Sequence, residues 1–242
     1  MRPFHIRGIS AILFPRMGDG VMETLNCGAY TVNLFTGGES QSVVYAVLDG
    51  EDAAKVWALL KAPRPALAVV SNIDWNRDLS PWAAPRAFRG SNDFGGGGPT
   101  FLAALTGKIM PLAEGRLGFA PQSRTIAGYS LAGLFALWSV FQSDVFDRAA
   151  SVSGSLWFDG FLDYMGANAP FGGLRRVYLS LGDKEKNTRN SRMAVVEMRT
   201  REAAELLRER DISVLFELNP GGHFQDVPAR IAQGINAVMD AQ

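Results

Sequence analysis

Cysteine and histidine are nearly absent from this 242-residue chain, and neither sign of charge prevails. Cys27 is the only cysteine, which excludes an intramolecular disulfide and any paired-cysteine metal or redox motif. Lys plus Arg number 24 and Asp plus Glu number 24, so the formal net charge is zero. That balance argues against a basic footprint for nucleic acid and against a polybasic membrane anchor. No apolar run approaches the roughly 20 residues of a membrane helix. The N-terminal run from Ile9 to Phe14, behind Arg2 and Arg7, is broken by Ser10 and stopped by Pro15, too short to read as a signal peptide. These absences lead to the expectation of a cytoplasmic protein with neither nucleic-acid nor membrane partners. Chemistry that needs an imidazole has only two candidates, His5 and His223.

What is present is apolar residues, 47% of the chain, enough for one core in a single domain over residues 1–242. Residues 42–48 and 66–70 are continuous apolar runs, the pattern of strands buried on both faces. Further strands are expected at 31–35, 124–127, 148–153, 176–181 and 212–218, and an edge strand at 11–14 before a Gly18-Asp19-Gly20 turn. Helices are expected at 53–60, 134–141, 193–210 and 226–239, with an Arg201–Glu205 pair one turn apart. Another runs from Thr100 towards Leu112, bent or interrupted by Pro111. Residues 72–98 form the longest irregular segment, with Trp75, Trp82 and the run Gly95 to Gly98. No Gly-Lys-Ser/Thr follows that run, so it does not read as a phosphate-binding loop. There is no internal repeat. Strands alternating with helices predict an α/β fold, a mostly parallel sheet covered on both faces.

Gly128-Tyr129-Ser130-Leu131-Ala132-Gly133 lies between a β-branched segment and a helix former. Strand, tight turn with a central Ser, then helix is the context of a nucleophile elbow. Small flanking residues leave room for the turn; here Ala132 occupies the usual second glycine position, with Gly133 next. A serine hydroxyl needs a general base, and the base an orienting group. His223, behind Gly221-Gly222 at a strand end, is placed to serve as that base; His5 is in the N-terminal tail. The acid is expected after the strand ending at Gly182, where Asp183 and Glu185 compete. Glu185 is favoured because it has room and reach to turn back over the strand ends. The order Ser130, Glu185, His223 is that of the α/β-hydrolase fold. The oxyanion donors are expected to be the backbone N–H groups of Leu131 and, from the loop after the 42–48 strand, Glu51. Tyr129, Trp82 and Trp157 are candidate pocket-lining residues, while Arg86, Arg89, Arg189 and Arg192 read as solvated surface charge.

These residues together resemble the putative-esterase branch of the α/β hydrolases, which includes esterase D and the enterochelin-esterase-like siderophore hydrolases. The resemblance is carried by Val47-Leu48-Asp49-Gly50, Trp75 with Ser80-Pro81-Trp82, the glycine run after Phe94, Gly128 to Leu134, Ser153 to Trp157, Leu181 to Glu185, and Gly221-Gly222-His223-Phe224. It covers roughly residues 43–225. It implies an α/β-hydrolase fold and hydrolysis of a small-molecule ester through an acyl-serine intermediate, with no cofactor or metal. It carries over onto Ser130, His223 and the acid loop, with Glu185 or Asp183 as the acid. A small acyl ester or a siderophore lactone is the implied substrate. The alternatives are a non-catalytic binding protein on the same fold, or an acyltransferase.

Overall fold

The structure is a computed structural model, which describes residues 20–48 and 50–240. The expected strand at 11–14, the start of its turn and His5 lie outside those residues. The chain opens with a hairpin, β1 (Val21–Cys27) and β2 (Tyr30–Thr36), closed at Gly28, whose φ of 64° suits a residue without Cβ. Next come β3 (Ser42–Val47), α1 (Gly50–Leu59), β4 (Ala66–Ser71) and the short α2 (Trp75–Asp78). Two-residue strands β5 (Ala83–Ala84) and β6 (Phe94–Gly95) pair with each other, so the irregular segment folds on itself. Then α3 (Gly98–Ala104) leads through a π turn, Leu105–Ile109, into α4 (Met110–Glu114). The interruption expected at Pro111 is therefore a π turn just before it. Proline has no N–H to give the carbonyl four residues back, and the π turn absorbs the fault without ending the helix.

The second half alternates strands with helices, two of them between its last two strands. It comprises β7 (Ser123–Tyr129), α5 (Leu131–Ser139), β8 (Arg148–Val152), α6 (Phe161–Ala167) and β9 (Arg176–Gly182), then α7 (Ser191–Ala194), α8 (Val196–Arg208), β10 (Ser213–Asn219) and α9 (Val227–Met239). The long helix expected at 193–210 is two helices, because the Asn190 side chain caps α7 and the chain resets at Val195. The expected Arg201–Glu205 pair does not form. Arg201 bonds Glu197 at 2.8 Å and Glu205 bonds Arg208 at 2.7 Å. Glu placed N-terminal to Arg by four residues is the orientation that agrees with the helix dipole.

Eight strands form one sheet in the order β1-β2-β4-β3-β7-β8-β9-β10, antiparallel at β1 and β2 and parallel from β4 onward. This is the mostly parallel α/β arrangement expected. Alternate residues of β3 enter two cores. Val43, Tyr45 and Val47 face the layer with Phe101, Phe135 and Phe161; Val44 and Ala46 face the layer with Trp57, Ile231 and Ile235. Every residue of α5 is buried, which explains its unbroken apolar sequence. No helix among the described residues is long and apolar enough to cross a membrane.

Parallel register brings the C-terminal ends of four strands, β7 to β10, together. Tyr129 pairs with Val152, Val152 with Ser180, and Gly182 with Asn219. Side chains in the turns that follow β7, β9 and β10 therefore meet above one edge of the sheet.

Candidate active site

Ser130 is the single residue between β7 and α5, at φ 59° and ψ −121°. A non-glycine residue at positive φ is strained, and here the surroundings enforce it. Its N–H donates to the Val152 carbonyl at 3.0 Å, and its own carbonyl accepts from Ser155 N at 3.0 Å. Gly128 is required by contact: a Cβ there would lie 2.2 Å from the Ala132 carbonyl oxygen. A Cβ on Gly133 would lie 3.0 Å from Gly154 Cα, so strand, turn and helix pack backbone to backbone. The methyl of Ala132 is accommodated with no exposure at all.

His223 follows β10 on the loop 220–226. Its Nε2 is 3.0 Å from Ser130 Oγ and its Nδ1 is 2.7 Å from Glu185 Oε2. The carboxylate can only accept from Nδ1–H, which leaves Nε2 as the acceptor for the serine hydroxyl. Ser155 Oγ lies 3.5 Å from Ser130 Oγ. The loop is held from several sides. Asp183 Oδ1 accepts from Gly221 N at 2.8 Å, Lys184 N donates to the Gly221 carbonyl at 3.1 Å, and the Tyr129 hydroxyl donates to the His223 carbonyl. Burial, foremost, pushes the Tyr129 phenol up, so it stays protonated as that donor.

The two acids of the β9 loop have different places. Asp183 bonds backbone and is exposed; Glu185 contacts the imidazole, and its side chain is 5% exposed. Glu185 Oε1 also accepts from Gly182 N at 2.6 Å and from Ser153 Oγ at 2.7 Å, with Arg230 Nη1 at 3.5 Å. Burial opposes the charged form most strongly. The hydrogen bonds from His223, Gly182 and Ser153 together with the His223 charge outweigh it and hold the carboxyl below its ordinary value. A lowered value means that the unfolded chain takes up the proton first as pH falls. Its stabilisation is therefore present above the unfolded value, near 4.5, and is lost as pH falls through the folded one. Thermal unfolding from pH 7 to 3 should show wild type ahead of Glu185→Gln at neutral pH, with the gap narrowing in acid. A gap that stays constant would contradict this.

Leu131, the first residue of α5, has a backbone N–H with no intrahelical partner, beside Ser130. Glu51 lies in the first turn of α1, just past β3, whose Val47 pairs with Gly128. A cavity of about 400 Å³ opens over Ser130, His223 and Glu185. Phe88, Trp157, Met193, Val196 and Phe224 give it an apolar lining, with Lys184 among its polar residues. Of the three aromatic candidates, only Trp157 lines it. Trp82 packs on Phe158 and Tyr164 and donates to the Asp159 carbonyl, while Tyr129 lies beneath the histidine loop. Arg192 is not simple surface charge: it pairs with Asp159 at 2.7 Å, stacks over Trp157 and Phe94, and donates to the Pro85 carbonyl. A larger cleft of about 630 Å³ sits by Arg176 and Ser213, where β9 and β10 begin, at the other edge of the sheet from Ser130. Among the described residues no group of three or more His, Cys, Asp or Glu is placed to hold a metal ion. Sequence reading gives no signal for Arg230, and it assigns Ser153, part of the Ser153 to Trp157 segment, no role at the acid.

Residues 30–225 match the model of a family described as "Putative esterase". The uncharacterized protein YbbA of Bacillus subtilis (strain 168) is 28% identical over 151 residues, and that stretch spans 60% of this chain and 60% of YbbA. The siderophore hydrolase EstB from Aspergillus nidulans has a similar structure, with a TM-score of 0.71, 16% identity, and 93% of this chain and 96% of that one covered. So has the BES protein from Bacillus cereus, at 0.69 and 16%, over 98% and 100% of the two chains. The enterobactin esterase FES from Shigella flexneri follows at 0.67 and 18%, over 96% of this chain and 60% of that one. At these identities the structural likeness speaks for the fold, and the family match speaks for descent. The chain belongs to the putative esterase family, an esterase family built on the α/β-hydrolase fold.

Proposed function

We propose that the protein hydrolyses a carboxylic ester through an acyl-serine intermediate on Ser130. The observation that carries this is the unbroken line from Glu185 Oε2 through His223 to Ser130 Oγ, with links of 2.7 and 3.0 Å, at a strained strand-to-helix turn. As Ser130 Oγ attacks the ester carbonyl, His223 Nε2 takes the hydroxyl proton. Glu185 holds the imidazole in the required tautomer and stabilises the imidazolium. The carbonyl oxygen becomes an oxyanion, for which the N–H groups of Leu131 and Glu51 are the donors in this reading. Collapse of the adduct breaks the bond to the alcohol, which leaves with the proton held by His223. A water then attacks the acyl-serine and gives its proton to His223. The acid is released, and the proton returns to Ser130.

The apolar and aromatic lining suits an ester with one apolar or aromatic arm. EstB is a siderophore hydrolase and FES an enterobactin esterase, so lactones of that kind stand beside small acyl esters as substrates. A pure binding role gains nothing from so complete a proton path. The test is a panel of acetyl to octanoyl nitrophenyl esters plus a ferric catecholate trilactone, run on wild type and Ser130→Ala. Turnover of at least one class by wild type and of none by the variant is expected. Equal rates for the two proteins would overturn the reading.

A further inference from the structure

Arg230 is a charged residue at only 3% exposure. It belongs to α9, which begins directly after the histidine loop. Its Nη2 donates to the Pro220 carbonyl at 2.8 Å and its Nη1 to the Gly222 carbonyl at 3.1 Å. The same Nη1 lies 3.3 Å from the Tyr129 hydroxyl and 3.5 Å from Glu185 Oε1. One planar fork therefore touches the loop carrying His223, the residue before Ser130, and the acid. A guanidinium is kept out of water at high cost unless its donors are matched, and here they are matched almost wholly within the site.

We infer that Arg230 is a positioning residue, which fixes His223 by clamping the Pro220 and Gly222 carbonyls and balances the charge of Glu185. The inference rests on the Ser130–His223–Glu185 reading. A loop with two consecutive glycines has no strong conformation of its own. Asp183 and Tyr129 each tie it once by a side chain, whereas Arg230 ties it twice, on both sides of Gly221. The space is closed as well: a Cβ on Gly182 would lie 2.4 Å from the Gly221 carbonyl and 3.1 Å from the guanidinium. The charge has a separate effect. The ion-pair partners of Glu185 are His223 and Arg230, so while the imidazole is neutral Arg230 supplies the countercharge.

The experiment is steady-state kinetics at neutral pH with a short-chain nitrophenyl ester, on wild type, Arg230→Met, Arg230→Lys and Ser130→Ala. Arg230→Met should lower kcat about 10- to 100-fold, as expected for a reacting group displaced by an ångström or less, with little change in KM. Arg230→Lys keeps the charge without the fork, so kcat should recover only in part. A kcat within about twofold of wild type in both variants, or a loss in Arg230→Met that lies in KM instead of kcat, overturns the inference. If Arg230→Met does not fold, Arg230→Lys decides: lowered kcat with an unchanged KM supports the inference, and unchanged kcat overturns it. Turnover surviving in Ser130→Ala would instead defeat the reading of the site itself.

Discussion

Replacing His223 with Ala is expected to lower turnover of a short-chain ester by about 10⁴- to 10⁶-fold, with a small change in KM. The imidazole touches both Ser130 Oγ and Glu185, and among the described residues no other side chain is within hydrogen-bond reach of the serine except the hydroxyl of Ser155. A neutral hydroxyl cannot replace a base. Without His223, Ser130 must attack as a free hydroxyl, and the alcohol must leave unprotonated. The double variant with Ser130→Ala should be no slower than either single one, since the two residues act as a unit. Initial rates, with folding checked by circular dichroism, measure this. A loss below about tenfold would mean that another group takes the proton.

Glu185→Gln is expected to lower turnover by about 10²- to 10⁴-fold, and Asp183→Asn by much less. The amide is nearly isosteric. It keeps the volume of the buried side chain but removes the charge facing His223 Nδ1 and can present an N–H to it. That favours the tautomer in which Nε2 carries the hydrogen and cannot accept from Ser130. Asp183 acts one step away, through Gly221 N–H, and its loss loosens the loop without changing the imidazole's partner. Saturating rates at neutral pH separate the two. If Asp183→Asn is the more damaging change, the roles are reversed; if neither matters, the site works as a Ser130–His223 dyad.

The parallel strands were legible because both their faces are buried. Runs such as Ala66 to Val70 have no polar residue to confuse the period. By the same logic β1 was not legible. It is an edge strand, Val-Met-Glu-Thr-Leu-Asn-Cys, only Leu25 of it is buried, and its pairing with β2 leaves no pattern in its own sequence. The elbow could be read locally, since its glycines answer contacts a few residues away, such as Gly128 against Ala132. His223 and the acid loop followed from chain order and from the scarcity of histidine. Arg230 could not be found this way. In sequence it is a charged residue on an amphipathic helix, which usually faces water, and its burial depends on where the β10 loop lands. Trp82 and Arg192 misled for the same reason. Each is placed by the fold of residues 82–95 on 157–164, a contact between distant segments.

The central claim is that Ser130 is the nucleophile. Labelling the protein with a fluorophosphonate and mapping the adduct by mass spectrometry tests it most directly. The account predicts one adduct per chain, on the peptide carrying Ser130, and none in a folded Ser130→Ala variant. An adduct on Ser153 or Ser155, or labelling that persists in the variant, would contradict it.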